Sequence, residues 1–70
     1  MIEKIIEVIF DYEEPTQEID ESTELESIPA FDSLAILSLI AFAEEELNKE
    51  ISGDDISACK TTGDLVKLLS

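Results

Sequence analysis

Histidine is absent from this chain, cysteine occurs once, and only four basic residues stand against 18 acids. Without an imidazole no hydroxyl can be activated in the Ser–His manner, and one thiol cannot assemble any of the usual zinc ligand sets. Cys59 has no partner for an internal disulfide. Its only positive neighbour in sequence is Lys60, so it reads as a small core residue and not as a reactive thiol. The shortage of bases leaves a net charge of −14 and a pI near 4.1. Such a surface repels nucleic acid and anionic lipid and attracts basic protein patches. No apolar run approaches the roughly 18 residues of a membrane span. The start, Met1-Ile2-Glu3-Lys4, lacks the basic head and unbroken apolar stretch of a signal peptide. The reading is a cytoplasmic protein with no nucleic-acid or membrane partner, no metal site and no catalytic residues of its own.

Seventy residues suffice for one small domain, residues 1–70, near the lower limit at which a single core holds without staples. At 44% hydrophobic residues the chain is too apolar to be a disordered acidic tail. Residues 2 to 13 carry Ile2, Ile5, Ile6, Ile9 and Tyr12 at helical spacing, flanked by Val8 and Phe10, with acids on the other side. Pro15 ends that pattern. A long acidic connection follows, for which Ile19, Leu25, Ile28 and Phe31 are the available apolar anchors. Its acids lack the alternating ligands around a central glycine that a calcium loop needs, so it reads as a solvated crossover.

The second helix carries the most information. Asp32 stands as N-cap before the long periodic segment, and Ser33 is the first residue inside it. A hydroxyl there lies at the positive end of the helix, where a phosphate is favoured. Ile36, Leu39, Ile40, Ala43 and Leu47 form the stripe expected to face the core. Leu34, Ser38, Ala41 and Glu45 line the opposite ridge, with Leu37 and Glu44 beside it. Apolar groups thus occupy a face that should be wet, framed by acids, as a docking strip for a partner with a basic rim would be. Beyond it, Ser52-Gly53-Asp54-Asp55 and Thr61-Thr62-Gly63-Asp64 have capping-box spacing. The first opens a short helix containing Ile56, and the second opens a last helix that buries Leu65, Val66, Leu68 and Leu69. The expected fold is all-α, a four-helix bundle of three longer helices and one short one, with a long crossover between helices 1 and 2.

Asp32-Ser33-Leu34 opening a helix, Glu44-Glu45-Glu46 near its end, Ile51, Asp54-Asp55 and Thr61-Thr62-Gly63-Asp64-Leu65 together resemble the acyl carrier protein family over roughly residues 25 to 69. The resemblance implies that Ser33 receives 4′-phosphopantetheine from coenzyme A through a phosphopantetheinyl transferase, and that the arm's thiol then carries an acyl group as a thioester. It implies that Asp32 caps the helix and helps position Ser33 for the transferase and its magnesium ion. Leu34, Leu37, Ala41, Glu44 and Glu45 match partner-recognition positions for acyl-loading and acyl-transferring enzymes, and Ile36, Leu39, Ile40 and Ala43 match positions lining a core that can open for an acyl chain. The implied protein is a monomeric carrier in fatty-acid-like metabolism. Two departures stand out: Pro29-Ala30 replaces the family's usual Leu-Gly, and Ser38 stands where many fatty-acid carriers have an acid. Two other readings remain open at this point, an aminoacyl or peptidyl carrier with the same arm, and an unmodified acidic interaction protein.

Overall fold

The computed structural model describes residues 1–70. Four α-helices follow one another, α1 at Ile2–Ile9, α2 at Ser33–Glu46, α3 at Gly53–Ser57 and α4 at Thr62–Leu69, with no β-strand. The all-α bundle of three longer helices and one short one is therefore as expected. Its single core joins Ile5, Val8, Ile9, Phe10, Leu25, Ile28, Leu39, Ala43, Ile56, Leu65 and Leu69. α1 packs on α2 and α4, and α3 bridges α2 and α4.

The first helix is shorter than residues 2 to 13. It stops at Ile9, well before Pro15, and Asp11 and Tyr12 adopt left-handed backbone with φ of 54° and 65°. Packing explains the early stop. In a continued helix Phe10 would lie about 140° around the barrel from Ile5, toward water. Ending the helix lets Phe10 turn into the core at 8% exposure and leaves Tyr12, the nominal stripe member, 72% exposed. Left-handed backbone at two non-glycine residues costs roughly 1–2 kcal/mol each. Burying a phenylalanine contributes an offset of about 1.5–3 kcal/mol.

α2 is apolar around much of its circumference, so its inward face is set by its neighbours. Ala35, Leu39 and Ala43 are fully buried. Ile36, Ile40 and Leu47, assigned to the same stripe from spacing, are half-buried against the core. The helix is thus turned so that two alanines face the neighbouring elements. It ends at a left-handed Asn48, φ 57°, beyond which the Lys49 amide donates to the Ala43 carbonyl at 2.9 Å.

The crossover is ordered by the anchors its sequence offered. Leu25 and Ile28 are buried, and Ile19 and Phe31 pack partly buried on the core. Two features were not visible in the sequence. A single turn of 3₁₀ helix forms at Leu25–Ser27, and Glu24 pairs with Thr61 in an isolated antiparallel bridge. Around the bridge, the Leu25 amide donates to Lys60 O at 2.8 Å, the Thr62 amide to Thr23 O at 3.0 Å and the Gly63 amide to Glu21 O at 2.8 Å. Thr62 is completely buried, and its hydroxyl also donates to Thr23 O at 3.3 Å. Gly63 has no side chain because a Cβ there would sit 2.9 Å from Glu21 O. Gly63→Ala is expected to push the crossover off the start of α4 and to destabilise the domain by about 1–3 kcal/mol, measured as a lower urea midpoint. An unchanged midpoint would show that the crossover contributes little.

Both capping boxes form. The Ser52 hydroxyl accepts from the Asp55 amide, and the Asp55 carboxylate accepts from the Ser52 amide, each at 3.1 Å. At α4, the Thr61 hydroxyl accepts from the Asp64 amide at 3.2 Å. The Asp64 carboxylate accepts from the amides of Lys60 and Thr61 at 2.9 and 3.1 Å. These donors, Lys60 first, hold the Asp64 carboxyl below its ordinary range, as the Ser22 hydroxyl and amide do for Asp20. A depressed folded-state pKa means stabilisation that is present above about pH 4 and is lost as the pH falls through the folded-state value. The melting temperature of Asp64→Asn should therefore lie below that of the parent at pH 7 and converge with it toward pH 3. A constant gap across that range would contradict the assignment.

Candidate functional site

At the start of α2 the chain arrives extended at Asp32, with φ −119° and ψ −171°. Its Oδ1 accepts from the Ala35 amide at 3.0 Å, and its carbonyl accepts from the Ile36 amide at 3.0 Å. Two first-turn donors are thereby paired, as an N-cap requires. The amides of Ser33 and Leu34 keep no protein acceptor. The Ser33 side chain is exposed and takes part in none of the molecule's side-chain hydrogen bonds. No acid occupies the first turn. A phosphate on this hydroxyl would meet the helix dipole and free N–H groups, so these residues fit a phosphodiester.

The approach to Ser33 absorbs the Pro29-Ala30 departure without strain. Positive φ among non-glycine residues is confined to Asp11, Tyr12 and Asn48, so Ala30 sits in ordinary backbone. The Phe31 amide donates to Ile28 O and the Asp32 amide to Ala30 O, each at 3.0 Å. Buried Ile28 and half-buried Phe31 fix the two ends of the turn.

The remaining site residues named from the sequence all lie on the outer side of α2. Leu34 and Leu37 are 71% and 62% exposed. Ala41, Glu44 and Glu45 are also exposed, whereas Ser38 is half-buried toward α1. Glu44, Glu45 and Glu46 crowd the negative end of the helix dipole, and no basic residue stands in the last turn. That arrangement is unfavourable for the isolated chain. None of these three carboxylates forms an ion pair within the molecule. The one ion pair joins the amino terminus to Glu3, and the Lys49 ammonium donates to the Ser70 carbonyl. An acidic surface with only four lysines against 18 acids creates a field that favours basic partners.

Val8 and Phe10, read from the sequence as flanks of the first helix's apolar stripe, line with Ala35 a cleft of about 240 Å³ that also includes Asp32 and Leu34. Ala35 alone carried no signal beyond being a small apolar residue near the start of α2. Cys59 lies half-buried at the rim of another cleft. Burial, and then the charges of Asp64 and Asp55, push its thiol pKa up, away from reactivity. No group of three or more His, Cys, Asp or Glu side chains is arranged to hold a metal ion, and no helix is long and apolar enough to cross a membrane.

The bundle presents an unbonded serine hydroxyl at the capped amino end of its longest helix, a geometry that suits a phosphate-linked group. Comparison with known proteins gives the same class. The family model described as "Phosphopantetheine attachment site" matches residues 2–69. Acyl carrier proteins of Clostridium perfringens strains SM101, ATCC 13124 and 13 are each 38% identical over 72 aligned residues, covering all of this chain and 93% of the relative. No solved structure matches. The chain belongs to the acyl carrier protein family and has the role of a phosphopantetheine carrier.

Proposed function

We propose that Ser33 is the residue that receives 4′-phosphopantetheine, and that the arm then carries acyl groups as thioesters between partner enzymes of a fatty-acid-like pathway. The observation that supports this most is the Ser33 hydroxyl itself, exposed and unbonded at the positive end of α2. Asp32 sets the geometry: by capping the first turn it holds Ser33 outward for a transferase. The protein performs no catalysis of its own, because the arm supplies the reactive thiol and the enzymes that dock supply the chemistry. It acts as a single monomeric domain in the cytoplasm.

Docking falls to the outer face of α2, where exposed Leu34, Leu37 and Ala41 offer apolar contact and Glu44 and Glu45 face a basic rim. Charge reversal at Glu44 and Glu45 to Lys should slow acyl transfer to a partner enzyme about tenfold through association, with an effect that shrinks as salt rises. Transfer kinetics of the loaded carrier at two ionic strengths measure this. Equal rates for parent and variant would remove the docking role from this face.

A further inference from the structure

Where α1 ends, Asp11 and Tyr12 face α2 across a cleft of about 210 Å³. Ser38, Ala41, Glu45 and Glu46 form its α2 wall, and buried Val8 and half-buried Phe42 add apolar surface. Ala41 and Glu45 also belong to the outer face of α2, so the cleft continues that face across the seam onto α1. The chain's one tyrosine thus stands, 72% exposed, among three carboxylates. None of the three is in an ion pair, and none of the four lysines lines the cleft. The backbone holds the ring there, since left-handed Asp11 and Tyr12 donate their amides to Val8 O at 3.1 Å and Glu7 O at 2.6 Å.

We propose that this cleft takes an arginine side chain of the acyl-transferring enzymes, an inference that rests on those enzymes docking on the outer face of α2. Charge is the first argument: Asp11, Glu45 and Glu46 together favour a cation. Size is the second. The cleft is smaller than the roughly 300 Å³ at which pockets begin to hold a whole small molecule, so its fitting occupant is a single side chain. Shape then separates the two basic side chains. A guanidinium is flat and weakly hydrated, so it can lie on the Tyr12 ring while its N–H groups fork onto carboxylates and its stem covers Val8, Ala41 and Phe42. A lysine ammonium has no flat face to match the ring. Source is the last argument. The chain contains no arginine and, at a net charge of −14, repels its own copies, so the side chain comes from another protein. Tyr12 thereby discriminates among basic partners: an enzyme that offers lysine at this point gains the charge attraction without the stacking.

The test uses the whole chain, acyl-loaded on Ser33 as checked by peptide mass, with the same acyl-transferring enzyme as the Glu44 and Glu45 charge reversal. Tyr12→Leu keeps apolar bulk but removes the ring; it should lower kcat/KM for transfer about fivefold, through KM, whereas Tyr12→Phe should keep the parent value. Asp11→Asn, at a residue type that tolerates left-handed backbone, should also lower kcat/KM, with an effect that fades as salt rises. Melting curves on the same samples establish that each variant is folded. On the ¹⁵N-labelled chain, N-acetyl-arginine amide should shift the amide signals of Tyr12, Ser38, Ala41 and Glu45 more than N-acetyl-lysine amide does. Equal shifts with the two amides, or shifts confined to other residues, would overturn the assignment of arginine to this cleft. Parent-like transfer by folded Tyr12→Leu and Asp11→Asn, with transfer slowed by the Glu44 and Glu45 reversal, would overturn the cleft and leave docking on α2 standing. Parent-like transfer in all of these variants would overturn both.

Discussion

Ser33→Ala should abolish the gain of one phosphopantetheinyl mass that the parent shows with a phosphopantetheinyl transferase, coenzyme A and magnesium. The effect is all or none because no second hydroxyl shares the site's geometry. Ser52 and Thr61 are also near helix starts, but their hydroxyls accept the amides of Asp55 and Asp64 and serve as caps. Ser33 lies one position inside its helix, where Asp32 does the capping and leaves the serine oxygen free. For the same reason the substitution should leave stability within about 0.5 kcal/mol of the parent, as for other exposed positions without structural partners. Intact mass and a melting curve on one sample separate the two effects. A mass gain that survives in a folded Ser33→Ala would move the attachment elsewhere.

Leu39→Ala should cost about 2–5 kcal/mol, the range for truncating a leucine at a site that cannot collapse. Leu39 is completely buried in the core at the middle of α2. A domain of this size has roughly 4–10 kcal/mol of total stability to lose. The variant should therefore unfold at a much lower urea concentration, and at physiological temperature a large fraction of it should no longer present Ser33 to the transferase. A loss below about 1 kcal/mol would mean that α2 is not held by the packing described.

What could be read from the sequence was local. The capping boxes at Ser52 and Thr61 and the cap at Asp32 involve residues three apart, so spacing alone revealed them. The exposed strip of Leu34, Leu37 and Ala41 was visible because helical periodicity assigns each position a direction. The length of α1 was hidden because it is decided by where Phe10 finds a core, a tertiary question that outweighs the periodic placing of Tyr12. The order within the crossover was hidden too. It depends on Thr62 and Gly63 meeting Thr23 and Glu21 some forty residues earlier, and the Thr62–Thr23 separation is 39. Ala35 escaped notice for a related reason: it looks neutral in a helix until the close approach of a neighbour makes its smallness matter.

The most direct test is peptide mass mapping of the protein purified from its own cells. The account predicts one 4′-phosphopantetheine per chain, carried on the peptide containing Ser33 and on no other. Protein that is abundant, folded and functional in its cells with Ser33 unmodified, or with the group on another residue, would contradict it.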